Sequence, residues 1–173
     1  MTIRPAAPVD FEAIYAIWLE GIAHSFAGFA HPPDLREQFH HNFATCQPPF
    51  GFWVAEEAGQ VLGWQSLLPC TSNPLKRYLL AESSTYVAAD VQLKGLGESL
   101  LRKALNEAGM REIQFVIGWV RTNNSGIAKM VARCGFVLTQ PGFVPQVPPL
   151  THVSNLWVYT VPTPEHTIAL PNS

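Results

Sequence analysis

Apolar positions along this chain repeat with two periods, and the boundaries between them mark its elements. Phe11, Ile14, Tyr15, Ile17, Trp18 and Ile22 recur every three or four residues, which predicts a core-facing helix with Asp10 as its N-cap, preceded by a short strand over Thr2–Arg4. Gly51–Ala55 and Gln60–Leu67 flank Glu57-Ala58-Gly59 and read as a hairpin. Leu79–Ala89 is the next strand, and its period of two places Glu82, Ser84 and Tyr86 on one face. Leu96, Leu100, Leu101, Ala104, Leu105 and Ala108 return to helical spacing, closed by Gly109. Ile113–Val120 is apolar on both faces, as expected of a central strand packed between helices. Asn124–Cys134 predicts a second helix ended by Gly135, Phe136–Thr139 a strand, Pro141–Pro149 a loop and Asn155–Val161 the last strand. Ser25–Pro49 reads as a lid-like excursion with its own aromatics and a short helical pattern over Asp34–Phe43. Strands alternating with helices predict one α/β domain over residues 1–162 with a central mixed sheet flanked by helices, and a tail over 163–173.

The run Gln92-Leu93-Lys94-Gly95-Leu96-Gly97 stands between that strand and that helix. A strand, a glycine turn and a helix start in this order make a phosphate cradle. The first helical turn leaves backbone N–H groups unpartnered, the helix dipole adds about half a positive charge there, and glycine lets a ligand approach the bare backbone. The spacing is neither that of a dinucleotide fingerprint nor that of a Walker loop, which ends in Gly-Lys-Ser/Thr.

Composition narrows the class. Of the 173 residues, 47% are hydrophobic and only 14% charged, which implies a large core and a weakly charged surface suited to a groove or a homodimer contact. A net charge of −2 excludes the basic footprint of a nucleic-acid binder. Cys46, Cys70 and Cys134 are odd in number and widely spaced, so neither a disulfide framework nor a metal site is expected. His24, His31, His40 and His41 lack ligand spacing. With no leader and no apolar run long enough for a membrane span, a cytoplasmic location is the expectation.

The segment Tyr86 to Gly97, with its Q-x-x-G-x-G turn after a strand, resembles the acetyl-CoA-binding motif of the GCN5-related N-acetyltransferase (GNAT) superfamily. The Ile3-Arg4-Pro5-Ala6 opening with Asp10, and Asn124 followed by Lys129, Arg133, Gly135 and Phe136, extend the resemblance over most of the chain. Ala81-Glu82-Ser83-Ser84-Thr85-Tyr86-Val87 and His152 five residues before Trp157 look most like the phosphinothricin-type acetyltransferases. The resemblance implies a GNAT-like domain with a mostly antiparallel sheet and acetyl-CoA as cosubstrate. It implies a cofactor site of Tyr86, Val87, Gln92, Leu93, Lys94, Gly95, Leu96, Gly97 and Asn124.

Acyl transfer to an amine needs a neutral amine, a polarised carbonyl and a tolerable leaving thiolate. An alkyl ammonium of pKa about 10.4 must lose a proton first, and Glu82, a rare charge in an apolar strand, is the candidate base. His152 is a second base or a substrate-orienting group by resemblance, or a structural histidine. The backbone N–H of Val87 is the implied oxyanion donor. Where the superfamily often carries a tyrosine acid for the thiolate, this chain has Val131. The expected reaction is direct transfer to the primary amine of a small molecule, an amino acid or a similar toxin. A non-catalytic acyl-CoA-binding module and a protein N-terminal acetyltransferase are the alternatives. Loops that would choose the acceptor, Asn73–Tyr78 with Lys76 and Arg77, and Phe143–Leu150, depart from the subgroup.

Overall fold

The computed structural model describes residues 1–25, 31–71, 73, 79–91, 93–110, 112–143 and 153–162. Its strands are β1 (Thr2–Pro5), β2 (Gly51–Glu57), β3 (Gln60–Pro69), β4 (Leu80–Val87), β5 (Phe115–Arg121), β6 (Val137–Phe143) and β7 (Ser154–Thr160). Its helices are α1 (Phe11–Ser25), α2 (Leu35–Ala44), α3 (Leu96–Gly109) and α4 (Ser125–Arg133). The strands form one sheet in the order β1-β2-β3-β4-β5-β7-β6, antiparallel throughout except where β4 runs parallel to β5.

Alternation along the strands divides the core. Trp53, Leu67, Ala81, Val116 and Val120 face α3 and α4, where they meet Leu101, Ala104, Leu105, Val131 and Phe136. Phe52, Val54 and Trp64 face the other way, onto Ile14 and Ile17 of α1, with Trp18, Phe39 and Phe43 packed around them. The six apolar residues that predict α3 are all buried. Between β2 and β3, Ala58 and Gly59 both have positive φ, 51° and 80°, the backbone of a tight hairpin turn.

Three expectations are corrected. Asp10 is not the N-cap of α1. A 3-10 turn over Pro8–Asp10 begins the helical stretch three residues earlier, and the Asp10 carboxylate accepts from the Ala7 N–H at 2.7 Å. It also receives Arg4 at 2.7 and 2.9 Å, while Arg4 reaches Glu56, so the carboxylate ties β1 to β2 and to the helix start. β5 is not covered on both faces, since Phe115 and Trp119 are 40% and 39% exposed. The Pro141 stretch is not all loop, because β6 runs through Pro141 and Gly142 to Phe143 with two register shifts. As the last strand of the sheet, β6 needs no ladder bond from Pro141, and the Gly142 N–H donates instead to Asn155 Oδ1 at 3.0 Å.

Candidate active site

The site follows from where pairing stops. β4 and β5 are matched only from Leu80↔Phe115 to Glu82↔Ile117, yet β4 continues to Val87 and β5 to Arg121. Beyond Glu82, β4 therefore has no ladder partner on its β5 side among the described residues. Three backbone bonds fix which groups look into that gap. Leu79 O accepts from Phe115 N, toward β5, whereas Leu80 O accepts from Cys70 N and Ala88 N donates to Leu62 O, toward β3. Alternation then turns the N–H groups of Ser83, Thr85 and Val87 into the gap. Val87 is where the sequence puts its oxyanion donor, and Thr85 presents an equivalent group.

β4 is held tightly there by Gly63, which pairs with Val87: a Cβ on Gly63 would sit 2.8 Å from Tyr86 O and 3.2 Å from Val87 Cα. Gly21 plays the same part on the helical side, since its Cβ would meet the Tyr86 ring at 2.5 Å. Neither glycine stands in a turn, so nothing local in the sequence marks it. Glu82 lies at the root of the gap, between Leu68 and Ile117 in register, with part of its surface exposed. Burial of the rest raises its carboxyl above the ordinary range. Cys70 is close enough to feel that charge. Burial, with Glu82, pushes its thiol up to about 12, so it stays protonated and is a poor nucleophile.

On the face of α1 and α2 a cleft of about 220 Å³ opens beside Ser84, walled by Trp18, Phe39, Phe52 and Trp64 with Gln38 and Asn42 at its edge. Tyr86 stacks on Trp64 at 4.9 Å, and Trp18 hydrogen-bonds to its hydroxyl. Phe39 belongs to the excursion read as a lid, and its ring lies 4.4 Å from Trp18. His40 packs edge-on against Phe11 at 4.6 Å, an aromatic contact rather than a ligand position.

At the far end of the gap, α3 begins at Gly95, whose φ of +83° is a left-handed conformation that favours glycine. A Cβ there would meet nothing within 4 Å, so the space over the helix start is open, as a pyrophosphate requires. Glu98 in the first turn would repel that anion, but Arg133 and Arg102 draw its carboxylate aside at 2.7 and 2.9 Å. These residues fit acetyl-CoA. Leu93 is exposed and Lys94 stands next to the turn, while Leu96 is buried under α3. Asn124 spends its side-chain oxygen capping α4, accepting from Ile127 N at 3.1 Å. Val131 sits in the α3–α4 core at 6% exposure. Gln92, His152, Lys76 and Arg77 lie outside the described residues, as does the Phe143 side chain.

Sequence reasoning missed a buried polar cluster beneath this end of β4. Gln65, fully buried, donates to Ser66 O at 2.7 Å and to Ser83 Oγ at 2.9 Å, and accepts from Thr85 Oγ1. The only signal was a glutamine in an apolar strand.

A parallel seam that opens into a gap, a glycine-capped helix at one end and a carboxylate at the other suit the class of acyl-CoA-dependent transferases. Residues 14–136 match the model of the acetyltransferase (GNAT) family, and the chain belongs to that family. The chain is 30% identical over 117 residues to N-acetyltransferase 8 of Mus musculus, covering 65% of this chain and about half the length of that relative, 50%. The ribosomal-protein-alanine N-acetyltransferase of Brucella melitensis shares the fold, with a TM-score of 0.76 at 24% identity over 92% of this chain and 99% of that one. So does a phosphinothricin acetyltransferase of Sinorhizobium meliloti in complex with AcCoA, at 0.76 and 19% over 99% and 98%.

Proposed function

We propose that this enzyme moves the acetyl group of acetyl-CoA directly to the primary amine of a small molecule, an amino acid or a compound of similar shape. The observation that carries this reading is the aromatic cleft of about 220 Å³ on the face opposite α3, lined by Ser84 and by Leu68, the residue paired with Glu82. It is smaller than the roughly 300–1,000 Å³ of sites for drug-sized ligands, which favours a compact acceptor over a polypeptide. Glu82 takes the ammonium proton, and its raised pKa brings it nearer to neutral pH, where a base is most effective. The Val87 N–H donates to the carbonyl oxygen as negative charge gathers there, and the N–H groups at the start of α3 hold the pyrophosphate. The amine nitrogen bonds to the carbonyl carbon, the carbon–sulfur bond breaks with its electron pair going to sulfur, and CoA leaves. A protonated Cys70 supports transfer without an acetylated enzyme.

The test is CoA release from acetyl-CoA across a panel of primary amines, with initial rates measured while both substrates vary. Intersecting lines with at least one small amine are expected. Acetyl-CoA binding without turnover of any amine favours the binding-module reading, parallel lines exclude direct transfer, and turnover confined to peptides excludes the small-molecule acceptor.

A further inference from the structure

The floor of the aromatic cleft carries polar groups that the transfer itself leaves unused. β3 and β4 set three cross-strand pairs in succession on this face: Trp64 against Tyr86, Ser66 against Ser84, and Leu68 against Glu82. Trp64, Ser66, Leu68 and Ser84 all line the cleft. The serine pair is therefore framed by two stacked rings on one side and by the rung of the carboxylate on the other.

Serines set opposite each other on antiparallel strands are placed to hydrogen-bond across the ladder. Here neither hydroxyl has a hydrogen-bond partner among the described residues, although Ser66 is only 1% exposed. Trp64, the next residue on this face of β3 and also buried, leaves its indole N–H without a partner too. Buried polar groups in folded proteins are nearly always paired, so two together in one cleft, continued by Ser84 at its floor, mark a place where a bound molecule completes the bonding. A molecule that enters displaces water from these hydroxyls, and it loses affinity unless it restores the hydrogen bonds. Hydroxyls donate as well as accept and an indole N–H only donates, so the atom they favour is an oxygen.

We propose that Ser66 and Ser84 hold an oxygen of the acceptor, so that the enzyme selects small amines carrying a hydroxyl or carboxyl oxygen beside the nitrogen. The rings of Trp18, Phe39 and Phe52 enclose the apolar remainder of the molecule. In a cleft of about 220 Å³ the acceptor is compact, which keeps that oxygen close to the amine. The proposal rests on the small-amine reading above and names the feature by which such an amine is recognised.

The experiment compares three amines of one shape: leucine, leucinol and 4-methyl-2-pentanamine, in which a methyl group stands where the other two carry their oxygen-bearing carbon. Initial rates of CoA release at saturating acetyl-CoA give kcat/KM for each. The wild type should favour the better of leucine and leucinol over 4-methyl-2-pentanamine by about tenfold or more, because a site built to bond an oxygen is left with unpaired groups by the analogue that lacks it. Ser66→Ala and Ser84→Ala should each cut that ratio by about fivefold. A ratio taken on one preparation cancels any loss of folded protein. A wild type without the preference, or a preference that either alanine variant keeps, overturns the proposal and leaves the small-amine reading in place. Turnover of 4-methyl-2-pentanamine or of other small amines, but of neither leucine nor leucinol, overturns it as well. CoA release confined to peptides overturns the small-amine reading and this proposal with it, a result distinct from the others.

Discussion

At the scale of single residues, two carboxylates illustrate opposite uses of charge. Burial raises Glu82, and no opposing charge among the described residues offsets it, so the folded protein favours its protonated form. As a base it works only when ionised, so kcat/KM should rise with pH through a value above the ordinary glutamate range of about 4.3. Glu82→Gln should lower kcat/KM by about 10² at neutral pH and abolish that acid limb. Retention of the full rate and the limb in the variant would move base duty to another group. Asp10 is shifted the other way, held down chiefly by its hydrogen bond to Arg4 and also by the Ala7 N–H. Its folded pKa lies below the unfolded value of about 3.9, so its contribution is fully present above that value and is lost as pH falls through the folded pKa. Arg4 remains one-third exposed, which moderates the effect. Asp10→Asn should cost about 1–3 kcal/mol in urea unfolding at neutral pH, a difference that shrinks in strong acid. An equal cost at both pH values would mean that shape rather than charge is what Asp10 supplies.

At the scale of elements, the glycine at the start of α3 acts through its backbone. The space above Gly95 is open, so a side chain there meets no protein atom; it strains a left-handed residue and covers the helix N–H groups. Gly95→Val should weaken acetyl-CoA binding at least tenfold, about 1.4 kcal/mol, with circular dichroism unchanged. Calorimetry that finds the same affinity would place the pyrophosphate elsewhere. α2 makes a separate contribution, for its Phe39 joins Trp18 and Trp64 in the wall of the cleft. Phe39→Ala should reorder amine acceptors by about 1–3 kcal/mol in competition while sparing acetyl-CoA affinity, and a uniform loss for every amine would reduce Phe39 to a packing role.

At the scale of the whole molecule, local signals carried the fold a long way. Periods of two and 3.6 located β4 and α3, the glycine turn located the helix start, and the alternation that put Glu82 and Tyr86 on one face holds, with Tyr86 on Trp64 and Glu82 beside Leu68. What was hidden depends on pairing across distance. The Gln65 cluster joins β3 to β4, Gly63 is required by the Val87 backbone opposite it, and the exposed face of β5 reflects the absence of a described helix over it rather than its own composition. Asp10 was misplaced for the same reason, because its partner Arg4 lies in another element.

The separation of β4 from β5 has one more consequence. A strand with an unpaired row of N–H and C=O groups is ordinarily a hazard, since it invites edge-to-edge addition of another chain and aggregation. Here that row belongs to the middle of a seven-stranded sheet, between β3 on one side and β5 on the other, with α3 packed over its root. An incoming strand has no straight approach to it, whereas a slender thioester does. The molecule keeps a sticky edge in its interior, where its own architecture screens it from other polypeptides.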